Sequence, residues 1–218
     1  MVSVPNFYHK IDKNVRVAIC VPVRDNVTAG FSYSLAMLMK KCGEANLKIS
    51  LHYNIGSEVA MQRQQLVEEA LETEPTHIFW LDSDMKFPSD ILQRLLAHKK
   101  DIVACNYSTR VEPLIPVAFT SSGDLESRLY KTTGTSNVFA VGLGCMLVNT
   151  KVYKEIDLPY FSVTWNEDYT NLVGEDIYFC KKVKEKGYDI LVDNEASQYI
   201  AHIGSKTFKL EETNDWEH

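Results

Sequence analysis

The chain has 218 residues, of which 45% are hydrophobic and 24% charged. That length buries a sizeable core as one domain, and that balance excludes both a disordered chain and a membrane-embedded one. A formal charge of -6 argues against non-specific binding to nucleic acid, although a local basic patch can still hold a small phosphate ligand.

Residues 1–14 are polar and irregular and read as an N-terminal arm. Residues 15–23 are rich in β-branched side chains and suit a central parallel strand that Pro22 brings to its exit. Arg24, Asp25 and Asn26 form a polar loop and Thr28 is a helix N-cap. Phe31, Leu35, Leu38 and Cys42 then recur at helical spacing until Gly43. Residues 47–53 alternate as a second strand. From Asn54 to Ser57 the chain turns into a helix, 58 to about 72, whose Arg63 has the solvated face as its default place.

His77, Ile78, Phe79, Trp80 and Leu81 read as a buried strand that ends abruptly in Asp82, Ser83 and Asp84. An unpaired buried carboxylate is costly, so the chain here must surface or meet a cation. Strand side chains alternate between faces, but a turn can aim two carboxylates at one ligand, and carboxylate oxygens suit hard divalent ions that carry substrate phosphates. The same letters also suit a plain polar loop with Asp84 near the next helix start.

Pro88 opens that helix, with Ile91, Leu92, Leu95 and Leu96 as its apolar stripe, and residues 101–105 give another strand. Strands alternating with helices predict a mostly parallel sheet covered on both faces. Ligands of such sheets gather at the carboxyl ends of the strands, where Asp25, Asn54 and the Asp82 to Asp84 turn all fall. After Asn106 the pattern changes, and residues 107–138 suggest a smaller antiparallel portion.

Residues 139–148 form a strand-like run laced with Gly142 and Gly144, which marks a bulge or close approach by a ligand. Trp165 sits in a polar loop, placed either to stack on a sugar ring or to pack on its own protein. Residues 174–187 read as a helix with Glu175 and Asp176 in its first turn, lysines in its last and Gly187 beyond, a pattern the helix dipole alone explains. A strand at 188–192 follows. His202 lies in an apolar run before a small basic turn holding Lys206, and is a core histidine or a ligand. The five cysteines are widely spaced with no Cys-x-x-Cys pair and suit a reduced, cytoplasmic core. No signal pattern is visible, and no apolar run is long enough for a transmembrane segment.

Taken in order, the strand-terminal Asp-x-Asp of Asp82 and Asp84, the glycine-laced strand, Gly174-Glu175-Asp176 opening a helix and the late His202-x-Gly204 resemble the nucleotide-sugar glycosyltransferases of the GT-A fold. The likeness is to the family-two-like group, including the glycosyltransferase domains encoded by large DNA viruses such as chloroviruses. It implies an α/β fold: a single GT-A-type domain over 15–210, with a mostly parallel central sheet flanked by helices, a nucleotide-binding part at 15–105 and an acceptor part at 106–206. A tail, 211–218, follows, and the resemblance to viral glycosyltransferase domains carries the expectation that the chain is one piece of a larger multidomain protein.

Carried onto this sequence, the resemblance implies that Asp84 and His202, with Asp82, hold Mn2+ or Mg2+ at the diphosphate of a UDP-linked sugar. Pro22, Val23, Arg24 and Asp25 would cradle base and ribose, with Asn54 where relatives often keep an acidic base-reading residue. Ser83 belongs to the same turn, and Arg63 and Lys206 would meet phosphate. Asp176, beside Glu175, matches the general base of inverting members, so transfer to a glycan or glycoprotein acceptor with inversion is the expected activity, in the host cytoplasm if the source is viral. The rival readings are an Asp-x-Asp magnesium-dependent phosphohydrolase, which usually carries its motif on the first strand with a following Thr, and a non-catalytic nucleotide- or sugar-binding module.

Overall fold

The β-branched run predicted as the first strand forms β1 (Arg16–Val23), buried on both faces from Val17 onward; most of the predicted arm, 1–11, and the tail, 211–218, lie outside the described residues. The structure, a computed structural model, describes residues 12–110, 113–121, 127–131, 133–166 and 169–204. In chain order the next elements are α1 (Ala29–Glu44), β2 (Lys48–Ile55), α2 (Val59–Glu72), β3 (His77–Leu81), β4 (Met85–Lys86), α3 (Ile91–Ala97) and β5 (Ile102–Ala104). The second half supplies β6 (Thr135–Val138), β7 (Cys145–Asn149), α4 (Thr150–Glu155), β8 (Thr164–Trp165), β9 (Leu172–Val173), α5 (Glu175–Glu185), β10 (Ile190–Asp193), α6 (Asn194–Ser197) and β11 (Ala201–His202).

Seven strands make the central sheet in the order β2-β1-β3-β7-β5-β10-β6. β1 pairs parallel with β2 and β3, and β10 with β5, whereas β7 runs antiparallel between β3 and β5, and β6 antiparallel to β10. The sheet is therefore mainly parallel and mixes strands from both halves of the chain. Alternation along each strand divides the core between two faces. Ala18, Cys20, Ile78 and Trp80 pack with Leu66 and Val67 of α2, Tyr153 of α4 and Phe179 of α5. Val17, Ile19, Phe79 and Leu81 pack with Phe31 and Leu38 of α1 and Ile91 and Leu95 of α3.

Several expectations shift. β2 extends through Asn54 and Ile55, which the sequence reading gave to a turn. Pro88 precedes the α3 helix instead of opening it, since Asp90 is the N-cap. The run 139–148 is not one strand: β7 begins only at Cys145. Its glycines answer to a close approach, though by the protein itself. A Cβ at Gly142 or Gly144 would lie 2.3 or 2.7 Å from the Tyr107 hydroxyl, so the loop before β7 can pass over Tyr107 only without side chains. The Trp165 loop is a small antiparallel pair, β8 with β9, that leaves the indole exposed. All five cysteines are free and buried, and no described helix is long and apolar enough to cross a membrane.

Candidate functional site

Where the parallel strands end, the chain opens a cleft of about 620 Å³. Pro22, Arg24 and Asp25 reach it from the end of β1, Asp82, Ser83 and Asp84 from the turn after β3, Glu175 from the start of α5, and His202 from β11. Two short strands bring the ends of this set together. β11 pairs antiparallel with β4, setting His202 opposite Met85, and the Ile203 N–H donates to the Asp84 carbonyl at 2.8 Å. The Asp82 to Asp84 turn is pinned on its other side by the Thr28 N–H, which donates to the Ser83 carbonyl at 3.1 Å while the Thr28 hydroxyl caps α1.

Asp84 is the electrostatic centre of the cleft. Its Oδ2 lies 3.3 Å from His202 Nε2 and is also paired with Arg110 Nη1. Burial acts to raise the Asp84 carboxyl, but the hydrogen bond and charge of His202, with the charge of Arg110, hold it below the ordinary carboxylate range. The hydrogen bond to Asp84 raises the His202 imidazole in return, against burial. His202 Nδ1 stands 3.1 Å from the Ser108 carbonyl, so that nitrogen carries the proton and donates, leaving Nε2 to face Asp84.

Arg63 departs most from expectation. In place of a solvated helix face it is 2% exposed, its guanidinium 5.2 Å from the centroid of the Trp80 ring. Its Nη2 donates to Asp82 Oδ1 at 2.7 Å and its Nε to Glu175 Oε1 at 3.3 Å, while Nη1 is buried without a partner. Arg63 therefore ties two acids of the cleft to each other. Next to it Gln62, also buried, donates to the carbonyls of Val23 at 2.7 Å and Asn54 at 2.6 Å and locks the ends of β1 and β2.

Val23 and Asn54 do not line the cleft. Val23 is the buried last residue of β1, and the Asn54 amide turns away to donate to Gln65 of α2 at 2.9 Å. Asp176 is not among the lining residues either. It is half-buried, and its Oδ1 accepts from the Ile177 N–H at 2.7 Å. Burial, then the charge of Glu175, pushes its carboxyl up to about 6, with Arg63 opposing and Asp82 adding. Tyr107 and Arg128 also feel its charge. Lys206 lies outside the described residues.

Sequence reasoning missed Arg110, Tyr107 and Gln62. Arg110 sits in a turn-rich segment without periodicity, and nothing local marks it as the partner of Asp84. Tyr107 donates no legible signal, yet its hydroxyl accepts from the Gly144 N–H at 3.0 Å and its ring meets His202 edge-on at 5.5 Å. The two glycines were the trace it left in the sequence.

Asp84 and His202 are side chains of the cleft with the chemistry to ligate a divalent ion. One carboxylate and one imidazole whose far nitrogen is held by a backbone carbonyl match the usual supports of a metal ligand, and such ions commonly take their remaining positions from water and phosphate oxygens. Among the described residues no group of three or more His, Cys, Asp or Glu is arranged to hold a metal by itself. Asp82 is turned to Arg63 and does not complete such a group.

No family model matches the chain, and no curated protein matches it. Among solved structures, A197 from STIV superposes with a TM-score of 0.56 at 14% identity, over 90% of this chain and 98% of that one, a likeness of fold. A glycosyltransferase involved in the glycosylation of the major capsid of PBCV-1 aligns with a TM-score of 0.43 at 11% identity, over 88% of this chain and 94% of that one, too slight a likeness to build on. Fold and cleft together define an α/β protein with an acidic, arginine-braced cleft at the carboxyl ends of its parallel strands.

Proposed function

We propose that this protein is a metal-dependent glycosyltransferase that moves a sugar from a nucleoside diphosphate, UDP above all, to an acceptor hydroxyl. The observation that carries the reading is the meeting of Asp84 and His202, from opposite halves of the chain, in a cleft that Pro22, Arg24 and Asp25 also line. The order of motifs in the sequence supports it independently. Asp84 and His202 would hold Mn2+ or Mg2+, which when bound supplies positive charge to the departing diphosphate. The loop after β1 would take base and ribose.

Arg63 holds Asp82 and Glu175 in place, so this part of the cleft lining is set before any ligand enters. Asp176, the neighbour in the first turn of α5 of the cleft-lining Glu175, is the base: its carboxylate takes the proton of the acceptor hydroxyl as that oxygen bonds to the anomeric carbon. The bond from that carbon to the diphosphate oxygen breaks, and its electron pair leaves with the nucleoside diphosphate. A carboxyl pushed up to about 6 is still ionised at neutral pH and is a better proton acceptor than an ordinary aspartate. Attack from the side opposite the leaving group gives inversion.

Incubating the protein with a panel of nucleotide sugars and manganese tests this. Free nucleoside diphosphate should accumulate, by transfer or slow donor hydrolysis, and Asp84→Ala should weaken metal-dependent nucleotide binding in calorimetry. Phosphate released from simple monoesters with no nucleotide-sugar turnover would mark a phosphohydrolase, and binding without any turnover a recognition module.

A further inference from the structure

Asp84 Oδ2 is claimed by two nitrogen donors, His202 and Arg110, and they differ in kind. His202 is fixed by its strand pairing to β4 and by the Ser108 carbonyl, whereas Arg110 reaches in from a loop with its side chain 55% exposed. Arg63, with a side chain 3% exposed in the same cleft, shows what a structural arginine looks like here. An exposed ion pair adds little to stability, so the bond from Arg110 to Asp84 is easily exchanged. The seat of Arg110 is nevertheless defined. Gly204 packs so closely beneath it that a Cβ there would lie 3.3 Å from the Arg110 Cβ and 3.5 Å from its carbonyl oxygen. Arg110 thus starts from a fixed place in the cleft lining, and its guanidinium has several donors besides Nη1.

Two ligands of the proposed reaction compete for what this pair holds. A divalent cation needs Asp84, and a diphosphate is well matched to the planar fork of an arginine. Resting on the donor reading above, we propose that Arg110 is a latch: it neutralises Asp84 while no donor is bound, then passes to the donor diphosphate and releases Asp84 to the metal. Metal and nucleoside diphosphate must then bind cooperatively, because each removes the partner that the other has to displace. Arg110 thus sets the order of loading, with metal alone bound poorly, and supplies a second cation to the leaving diphosphate.

The test is manganese and UDP binding to wild type, Arg110→Ala and Arg110→Lys, followed by manganese paramagnetic resonance and calorimetry, with circular dichroism to establish that all three fold. Arg110→Ala should bind manganese alone about tenfold more tightly than wild type and UDP at saturating manganese about tenfold more weakly, the scale of one charged hydrogen bond. Arg110→Lys, which keeps the charge and loses the fork, should stay near wild type for manganese and fall between the two for UDP. Equal manganese affinity in wild type and Arg110→Ala overturns the latch, even if wild type binds UDP well and the donor reading stands. A wild type that binds no UDP at saturating manganese, with Arg110→Ala still gaining manganese affinity, sinks the donor reading and leaves the exchange at Asp84 standing.

Discussion

Asp176 carries opposite consequences for folding and for chemistry. Its folded carboxyl titrates at about 6, raised chiefly by burial, whereas an aspartate in the unfolded chain titrates at about 3.9. Between those values the folded state binds more protons than the unfolded one, so this residue's contribution to stability falls as pH rises through the window, and the penalty is complete above pH 6. Asp176→Asn removes the penalty. At pH 8 the variant should be more stable than wild type by about 1–3 kcal/mol, a difference that fades toward pH 4. Its transfer rate should drop about a hundredfold or more, while wild-type transfer climbs as pH passes through 6. Chemical denaturation at the two pH values, with a pH–rate profile, reads both, and a variant less stable at pH 8 would contradict the burial argument.

At the scale of elements, the informative connection is the one Arg63 makes between α2, the end of β3 and the first turn of α5. Replacing Arg63 by Met leaves Asp82 and Glu175 without their shared cation in a half-buried site, and should cost about 3–5 kcal/mol. Adding Asp82→Asn and Glu175→Gln to the same chain should recover most of that loss in urea unfolding, because the acids, not the missing packing, are what the change exposes. Recovery of nothing would assign the cost to the stack on Trp80 instead. The helix itself was legible from its spacing, but the burial of Arg63 was not. A charged residue on a helix is by default solvated, and its second partner lies 112 residues away. Equally illegible was the pairing of β4 with β11, since a strand of two residues has no period to read. The antiparallel placement of β7 between β3 and β5 also escaped the sequence, because a buried run looks alike in either direction. By contrast the Asp82 to Asp84 turn announced itself, since two adjacent-but-one carboxylates closing a run of bulky apolar residues demand either solvent or a cation.

Across the whole molecule, the cleft joins pieces that the chain otherwise holds apart: the end of β1, the turn after β3, the start of α5 and the pairing of β4 with β11. On the proposed reading, a nucleoside diphosphate with its metal would touch both the central sheet and the β4–β11 pair and would bind only where all four pieces are assembled. Ligand that binds the folded state alone stabilises it by about 2.7 kcal/mol at a hundred times its dissociation constant, and in a chain of this size each kcal/mol raises the melting temperature by roughly 2–4 °C. UDP and manganese together should therefore raise it by roughly 5–10 °C. Either alone should do much less, manganese because Arg110 already occupies Asp84, and UDP because its diphosphate lacks its counter-ion. Chelation should return the melting temperature to that of UDP alone. A shift produced in full by UDP without metal would show that Arg110 and the other cations of the cleft suffice for the diphosphate. Asp84 and His202 would then be a structural pair fastening β11 to β4, and the donor would be held without a divalent ion.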